Sequence, residues 1–151
     1  MRRALVVATL LFAGACARHE AARTLPPDEA KTLLNDRSWV DRLPTRVDDK
    51  LHVFRFTPKM GGGVYQDRTL FKGTFELFTF KVDGDHIDFT MPETHEQVRS
   101  QFQIDKVAGP KPFDLKLTIW SDPRGPHEYY GIRAEKDVDG SKLVAELQAV
   151  R

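Results

Sequence analysis

Phe113-Asp114-Leu115-Lys116-Leu117-Thr118-Ile119-Trp120 sends Phe113, Leu115, Leu117 and Ile119 to one parity and Asp114, Lys116 and Thr118 to the other. A strict period of two is the mark of a strand with one dry face, because successive side chains of an extended backbone point to opposite sides. His86-Ile87-Asp88-Phe89-Thr90-Met91 repeats the pattern. It follows residues 74–82 through Asp83-Gly84-Asp85, a compact turn of residues that tolerate positive φ, so the two runs read as a hairpin. Residues 97–107 alternate again, with Val98, Phe102 and Ile104 on one side and Arg99, Gln101, Gln103 and Asp105 on the other.

Working outward, residues 38–43, 51–56, 64–72 and 128–133 are further strand candidates. They are separated by Met60-Gly61-Gly62-Gly63, Ala108-Gly109-Pro110 and Ser121-Asp122-Pro123-Arg124-Gly125-Pro126, read as turns or flexible loops. Within residues 74–82, Phe75 and Leu77 lie on one parity and Phe78, Phe80 and Val82 on the other, which predicts a β-bulge in mid-strand. About eight antiparallel strands in a meander result. Closing them into an up-and-down barrel removes the exposed edges that a flat sheet would leave. A short helix over residues 28–35 is predicted before the strands, since Pro26-Pro27 and two acids mark its start and Ala30, Leu33 and Leu34 share one side. A second helix over about 141–149, capped by Ser141, is predicted after them.

The first residues carry an address. Met1-Arg2-Arg3 leads into residues 4–15, which hold no charged residue, and then into Cys16, the chain's single cysteine. A basic start and an apolar stretch of that length read as a signal peptide over residues 1–15, too short for a membrane span. A lone cysteine in an exported chain has no disulfide partner within it. Behind Ala13-Gly14-Ala15, Cys16 resembles the lipidated residue of a bacterial lipoprotein, with ordinary secretion as the alternative. Residues 16–27 then read as lipidated Cys and tether, and residues 28–151 as one domain. Ala17, not Asp, follows the cysteine; by resemblance to the sorting rule of enteric bacteria this implies the outer membrane of the cell envelope, facing the periplasm or the exterior.

Without residues 1–15 the chain carries 21 Lys and Arg against 22 Asp and Glu, so no basic field is available for nucleic acid. Chemistry is also sparsely signalled. The five histidines form no i+2 or i+4 pair, and His95 with Glu93 or Glu96 is the nearest approach to a metal cluster. No serine stands in a Gly-x-Ser-x-Gly elbow. Met60-Gly61-Gly62-Gly63 lacks the Lys-Ser/Thr of a phosphate cradle. The expectation is a protein with no catalytic residues, no metal and no cofactor.

A short helix, a tryptophan near the start of the first strand, a meander and a terminal helix together resemble the lipocalin-like part of the calycin superfamily. The resemblance rests on Asn35-Asp36-Arg37-Ser38-Trp39, Gly63-Val64-Tyr65, the hairpin at Asp83-Gly84-Asp85 and Tyr129-Tyr130-Gly131-Ile132-Arg133. Arg37 stands where lipocalins carry glycine, and their Thr-Asp-Tyr signature is missing. The resemblance implies that Arg133 stacks over Trp39 at the closed end of the barrel. It also implies a small hydrophobic ligand, such as a fatty acid or lipid fragment. The lining would be Phe54, Phe56, Phe80, Phe89, Phe102, Ile104, Leu115 and Leu117, with Phe75 and Phe113 inside or at a barrel end. An eight-stranded barrel can equally be filled by its own side chains, so a second reading stands beside the carrier: an envelope interaction or structural lipoprotein whose surface and loops bind a protein partner.

Overall fold

The computed structural model describes residues 22–134, together with Ala145 and Ala149. The expected signal peptide, Cys16 and the first part of the tether lie outside the described residues, as does the expected helix at 141–149 apart from those two alanines. The remaining chain forms β1 (Arg23–Thr24), α1 (Pro27–Leu34), β2 (Ser38–Val40), β3 (Leu51–Thr57), β4 (Gly62–Arg68), β5 (Gly73–Asp83), β6 (His86–Met91), β7 (Glu96–Lys106), β8 (Leu115–Trp120) and β9 (Glu128–Gly131), with a 3-10 turn at Pro58–Met60.

Strands β2 to β9 each pair antiparallel with the next, and β9 returns to β2, which closes an eight-stranded up-and-down barrel. Closure depends on offset pairing along the two longest strands. β5 meets β4 through Gly73 to Phe78 and β6 through Thr79 to Asp83, while β7 meets β6 through Glu96 to Gln101 and β8 through Gln101 to Lys106. That stagger tilts the strands and lets the ring close. β1 is the strand that the sequence reading missed. Arg23 and Thr24, read as tether, pair with Lys106 and Asp105 on the edge of β7 beyond the end of β6, and Leu25 is buried.

Helix α1 lies across one end of the barrel, with Ala30 and Leu34 buried. Trp39 donates from Nε1 to the Leu34 carbonyl at 3.0 Å, so the helix and the first barrel strand are locked together. Arg37 reaches to the last strand's exit, where its Nη1 donates to the carbonyls of Ile132 and Arg133 at 2.8 and 3.2 Å. Arg133 does not fill the role expected of it. Its guanidinium is held by Glu29 of α1 at 2.7 Å, and the element of β9 that lies against the Trp39 ring is Gly131, where a Cβ would come within 2.9 Å of Cε3 and Cζ3. A glycine lets the two come close, and the cation is drawn to the carboxylate beside it.

Two further expectations change. β5 has no bulge: its registers with β4 and β6 run unbroken, and Glu76, Phe78, Phe80 and Val82 are the inward-facing parity throughout. Phe75 and Leu77 therefore point out to solvent. The glycine run is only partly a loop. Gly61 closes the 3-10 turn at φ 82°, whereas Gly62 and Gly63 are the first residues of β4, where side chains would collide with the Phe78 carbonyl and ring. Phe113 belongs to a second small core outside the barrel wall, with Val40, Leu51, Val53 and Leu70.

Candidate functional site

The eight residues expected to line a ligand cavity do converge on one interior cluster, with Phe80 partly buried at its margin. The aromatic ones among them meet ring to ring. Phe54 lies 5.6 Å from Phe56, 5.6 Å from Phe78 and 5.9 Å from Phe89, centroid to centroid, and Tyr65 and Tyr129 close on it at 4.8 and 5.2 Å. Phe56 touches Phe80 at 5.1 Å and Phe78 at 5.5 Å. These are contact distances for offset and edge-to-face rings. Lower down, Phe102 opposes Ile119 and Ile104 opposes Leu117 across β7 and β8, and Leu115 faces Gly131. The centre of the barrel is thus a buried aromatic cluster of a composition suited to hydrophobic contacts, with its rings in mutual contact.

The polar side chains gather at the opposite end from α1. Four inward positions next to the aromatic ones carry polar groups there: His52 precedes Phe54 on β3, Tyr65 and Asp67 share a parity on β4, and Glu76 precedes Phe78 on β5. Over them folds the β8–β9 loop. Asp122 organises this loop by accepting the backbone N–H of Arg124 at 2.8 Å, the N–H of His127 at 3.1 Å and the Tyr129 hydroxyl at 2.7 Å. Arg124 then crosses the mouth and donates from Nε and Nη2 to both oxygens of Glu76 at 2.7 and 2.6 Å, and from Nη1 to Glu96 at 3.1 Å. A bidentate fork of this kind fixes orientation as well as charge. It ties the loop to β5 and β7 at the end of β6, where Met91 pairs with Glu96.

Electrostatics at the mouth follow from this arrangement. The Glu76 and Glu96 carboxylates hold the Arg124 guanidinium protonated well above its usual range. Burial, reinforced by Asp122, pushes the Tyr129 phenol far up, and burial with Asp122, Asp67 and Asp41 does the same to Tyr65. Both phenols stay protonated at neutral pH, and Tyr129 donates to Asp122. His52 stacks on Tyr65 at 6.0 Å with planes 12° apart, and its Nδ1 lies 2.9 Å from Asp41, which also accepts the His52 backbone N–H at 2.7 Å.

Between the rim and the loop lies a cleft of about 420 Å³ lined by Asp41, Arg42, His52, Arg124, Glu128 and Tyr130, among others. A smaller recess of about 200 Å³ opens through the wall where β1 and the β5–β6 turn leave a gap along β7. Leu25, Pro27, Ala30, Phe102 and Ile104 line it together with Asp85 and Gln103. Among the described residues no group of three histidine, cysteine or acidic side chains is placed to hold a metal ion, and the Glu96 carboxylate is engaged by Arg124. Sequence reasoning missed the mouth, although a signal existed: on β3, β4 and β5 the inward parity switches from aromatic to polar at the same end. No protein-family model, curated protein or solved structure matches the chain. Its likeness is therefore one of architecture, a closed eight-stranded antiparallel barrel consistent with a lipocalin-like fold.

Proposed function

We propose that this chain is a lipid-anchored protein of the bacterial cell envelope, attached through Cys16, whose barrel is a solid scaffold that binds a protein partner at its mouth and performs no chemical step itself. The observation that carries the reading is the ring-on-ring packing of Phe54, Phe56, Phe78 and Phe89, which puts side chains in contact with one another at the centre, where a carried ligand would lie. The charged lining of the 420 Å³ cleft suits a polar segment of another protein better than an acyl chain. A second reading, a barrel that takes up a small hydrophobic molecule, draws support from the wall recess lined by Phe102 and Ile104. At about 200 Å³ that recess is smaller than the usual ligand pocket and has room only for a short apolar group.

Uptake of a fluorescent fatty acid separates the two. A scaffold shows no saturable binding, and Leu117→Trp, overpacking a filled interior, lowers stability by about 1–3 kcal/mol. Saturable binding that Leu117→Trp abolishes in a folded protein overturns the scaffold reading. Photo-crosslinking from position 42 or 128 in intact envelopes is expected to yield one discrete protein adduct. Membrane attachment is tested independently: Cys16→Ser should move the protein into the soluble envelope fraction, and retention after a high-salt wash removes the anchor from the reading.

A further inference from the structure

The outer face of the β4–β5 hairpin is unlike the rest of the surface. Phe71, Phe75 and Leu77 stand on it at 63%, 69% and 59% exposure, and Met60, in the turn leading into β4, is 80% exposed. Lys59, Arg68, Lys72 and Lys81 belong to the same stretch of chain, Arg68 and Lys72 beside Phe71 and Phe75. Residues 58–82 contain two acids, Asp67 and Glu76, and both sit on the inward parity, Asp67 beside Lys50 at 3.6 Å and Glu76 on Arg124. The guanidinium of Arg68 spends its hydrogen bonds on neutral oxygens of Gln66, Thr69 and Leu70, which leaves its charge uncompensated. The first outward acids on the strands are Asp83 and Asp88, and Glu93 is exposed in the β6–β7 turn. Asp88 lies opposite Lys81, but Arg99 holds the carboxylates of Asp83 and Asp88, at 3.3 and 2.9 Å. Large apolar side chains that share a hairpin with four cations, and with no outward acid in that hairpin before Asp83, match a membrane interface, where the rings enter the headgroup region and the cations meet lipid phosphates.

The lead toward Cys16 follows the edge of β7 at the α1 end of the barrel. On the edge of β7, the Phe102 N–H donates to the carbonyl of Asp85 in the β5–β6 turn, and two residues on the Ile104 carbonyl accepts the N–H of Leu25. From Leu25 the chain toward Cys16 runs through Thr24, opposite Asp105, and Arg23, opposite Lys106, so it leaves the barrel past the end of β7, at the end covered by α1. From Cys16 to Ala22 there are six peptide steps, which extend to about 20 Å at most. A domain on so short a lead is held close to the bilayer, and the exposed apolar side chains and cations of the β4–β5 face decide which side it turns to the lipid.

We propose that the β4–β5 face, centred on Phe71, Phe75 and Leu77, is a docking surface for anionic phospholipid that lays the barrel on its side on the membrane and leaves its mouth free. This rests on the envelope reading above but not on lipidation itself. All strands of the closed barrel lie within residues 23–131, so the polypeptide of residues 17–151, without its acyl group, tests the surface apart from the anchor.

That protein should co-sediment with vesicles of phosphatidylethanolamine containing about one-third phosphatidylglycerol, and bind phosphatidylcholine vesicles at least tenfold more weakly. Lys72→Glu and Lys81→Glu should each lower binding by about fivefold or more, and Phe75→Ser with Leu77→Ser should abolish it while circular dichroism and melting temperature stay at wild-type values. Absence of binding to the anionic vesicles overturns the proposal, as does binding that these substitutions leave unchanged. Sedimentation equilibrium tests a second copy as the occupant: a dimer that Phe75→Ser with Leu77→Ser dissociates, in a protein that ignores vesicles, overturns it as well. Vesicle binding that appears only after residues 135–151 are removed assigns the face to that segment and likewise refutes the membrane.

Discussion

Gly131→Ala puts the closed end of the barrel to a quantitative test. The added Cβ would lie 2.9 Å from both Cε3 and Cζ3 of Trp39, whereas ordinary contacts fall at 3.4–4 Å, so the ring must retreat by roughly half an ångström or more to reach carbon–carbon contact distance. It has nowhere to go. Trp39 is fully buried, and its Nε1 bond to the Leu34 carbonyl at 3.0 Å ties any shift to a shift of α1. Overpacking of this kind costs about 1–3 kcal/mol, and at about 4 °C per kcal/mol for a domain of this size the melting temperature should fall by about 4–12 °C. Urea denaturation of the wild type, Gly131→Ala, Trp39→Phe and the double variant supplies the coupling. With the larger ring removed the methyl has room, so the Gly131→Ala penalty should shrink by about 1 kcal/mol or more in the double variant. Arg133→Ala is the control. Its pair with Glu29 is exposed on both sides and should be worth less than about 1 kcal/mol. If Gly131→Ala is as stable as the wild type to within about 0.5 kcal/mol, or if Arg133→Ala is the more damaging change, the glycine contact is not what closes this end.

Two further outcomes follow from the mouth. Glu76→Ala leaves Arg124 with Glu96 alone and should cost about 1–3 kcal/mol, the range for hydrogen bonds between charged groups; hydrogen exchange should show faster exchange confined to residues 121–127, and uniform protection there refutes the tie. Because the phenols of Tyr65 and Tyr129 are raised in the folded state, the unfolded chain loses those protons first. Stability should therefore be fully present below about pH 10, the unfolded tyrosine value, and fall as the pH rises above it. Absorbance near 295 nm should record these two tyrosinates only together with unfolding, and their earlier appearance in a folded protein contradicts the buried placement.

Much of the barrel was legible in local pattern. The alternation at Leu115 to Trp120 and at His86 to Met91, the turn at Asp83-Gly84-Asp85 and the proline-led start of α1 all became elements within a residue or two of their expected bounds, because strand parity and turn chemistry are properties of neighbouring residues. The inward set Phe54, Phe56, Phe89, Phe102, Ile104, Leu115 and Leu117 was readable for the same reason.

Parity says which residues share a face, but it does not say which face is dry. On β5 the apolar residues occupy both parities, and the choice fell to Phe78, Phe80 and Val82 because Glu76, on their side, meets Arg124 from 48 residues away. That partner lies in a loop that no periodicity marks, so Phe75 was placed inside, a bulge was expected in mid-strand, and the mouth went unseen. Whether the rings leave a cavity is likewise beyond composition, since the same phenylalanines line a void or fill it according to how the side chains of all eight strands interlock. The closed end shows the same division: Trp39 and the last strand were correctly brought together, but only the backbone approach in three dimensions made Gly131, and not Arg133, the residue that touches the indole. Sequence by itself determined the strands and their turns; tertiary packing decided what is inside, because burial is a property of pairs of residues distant in the chain.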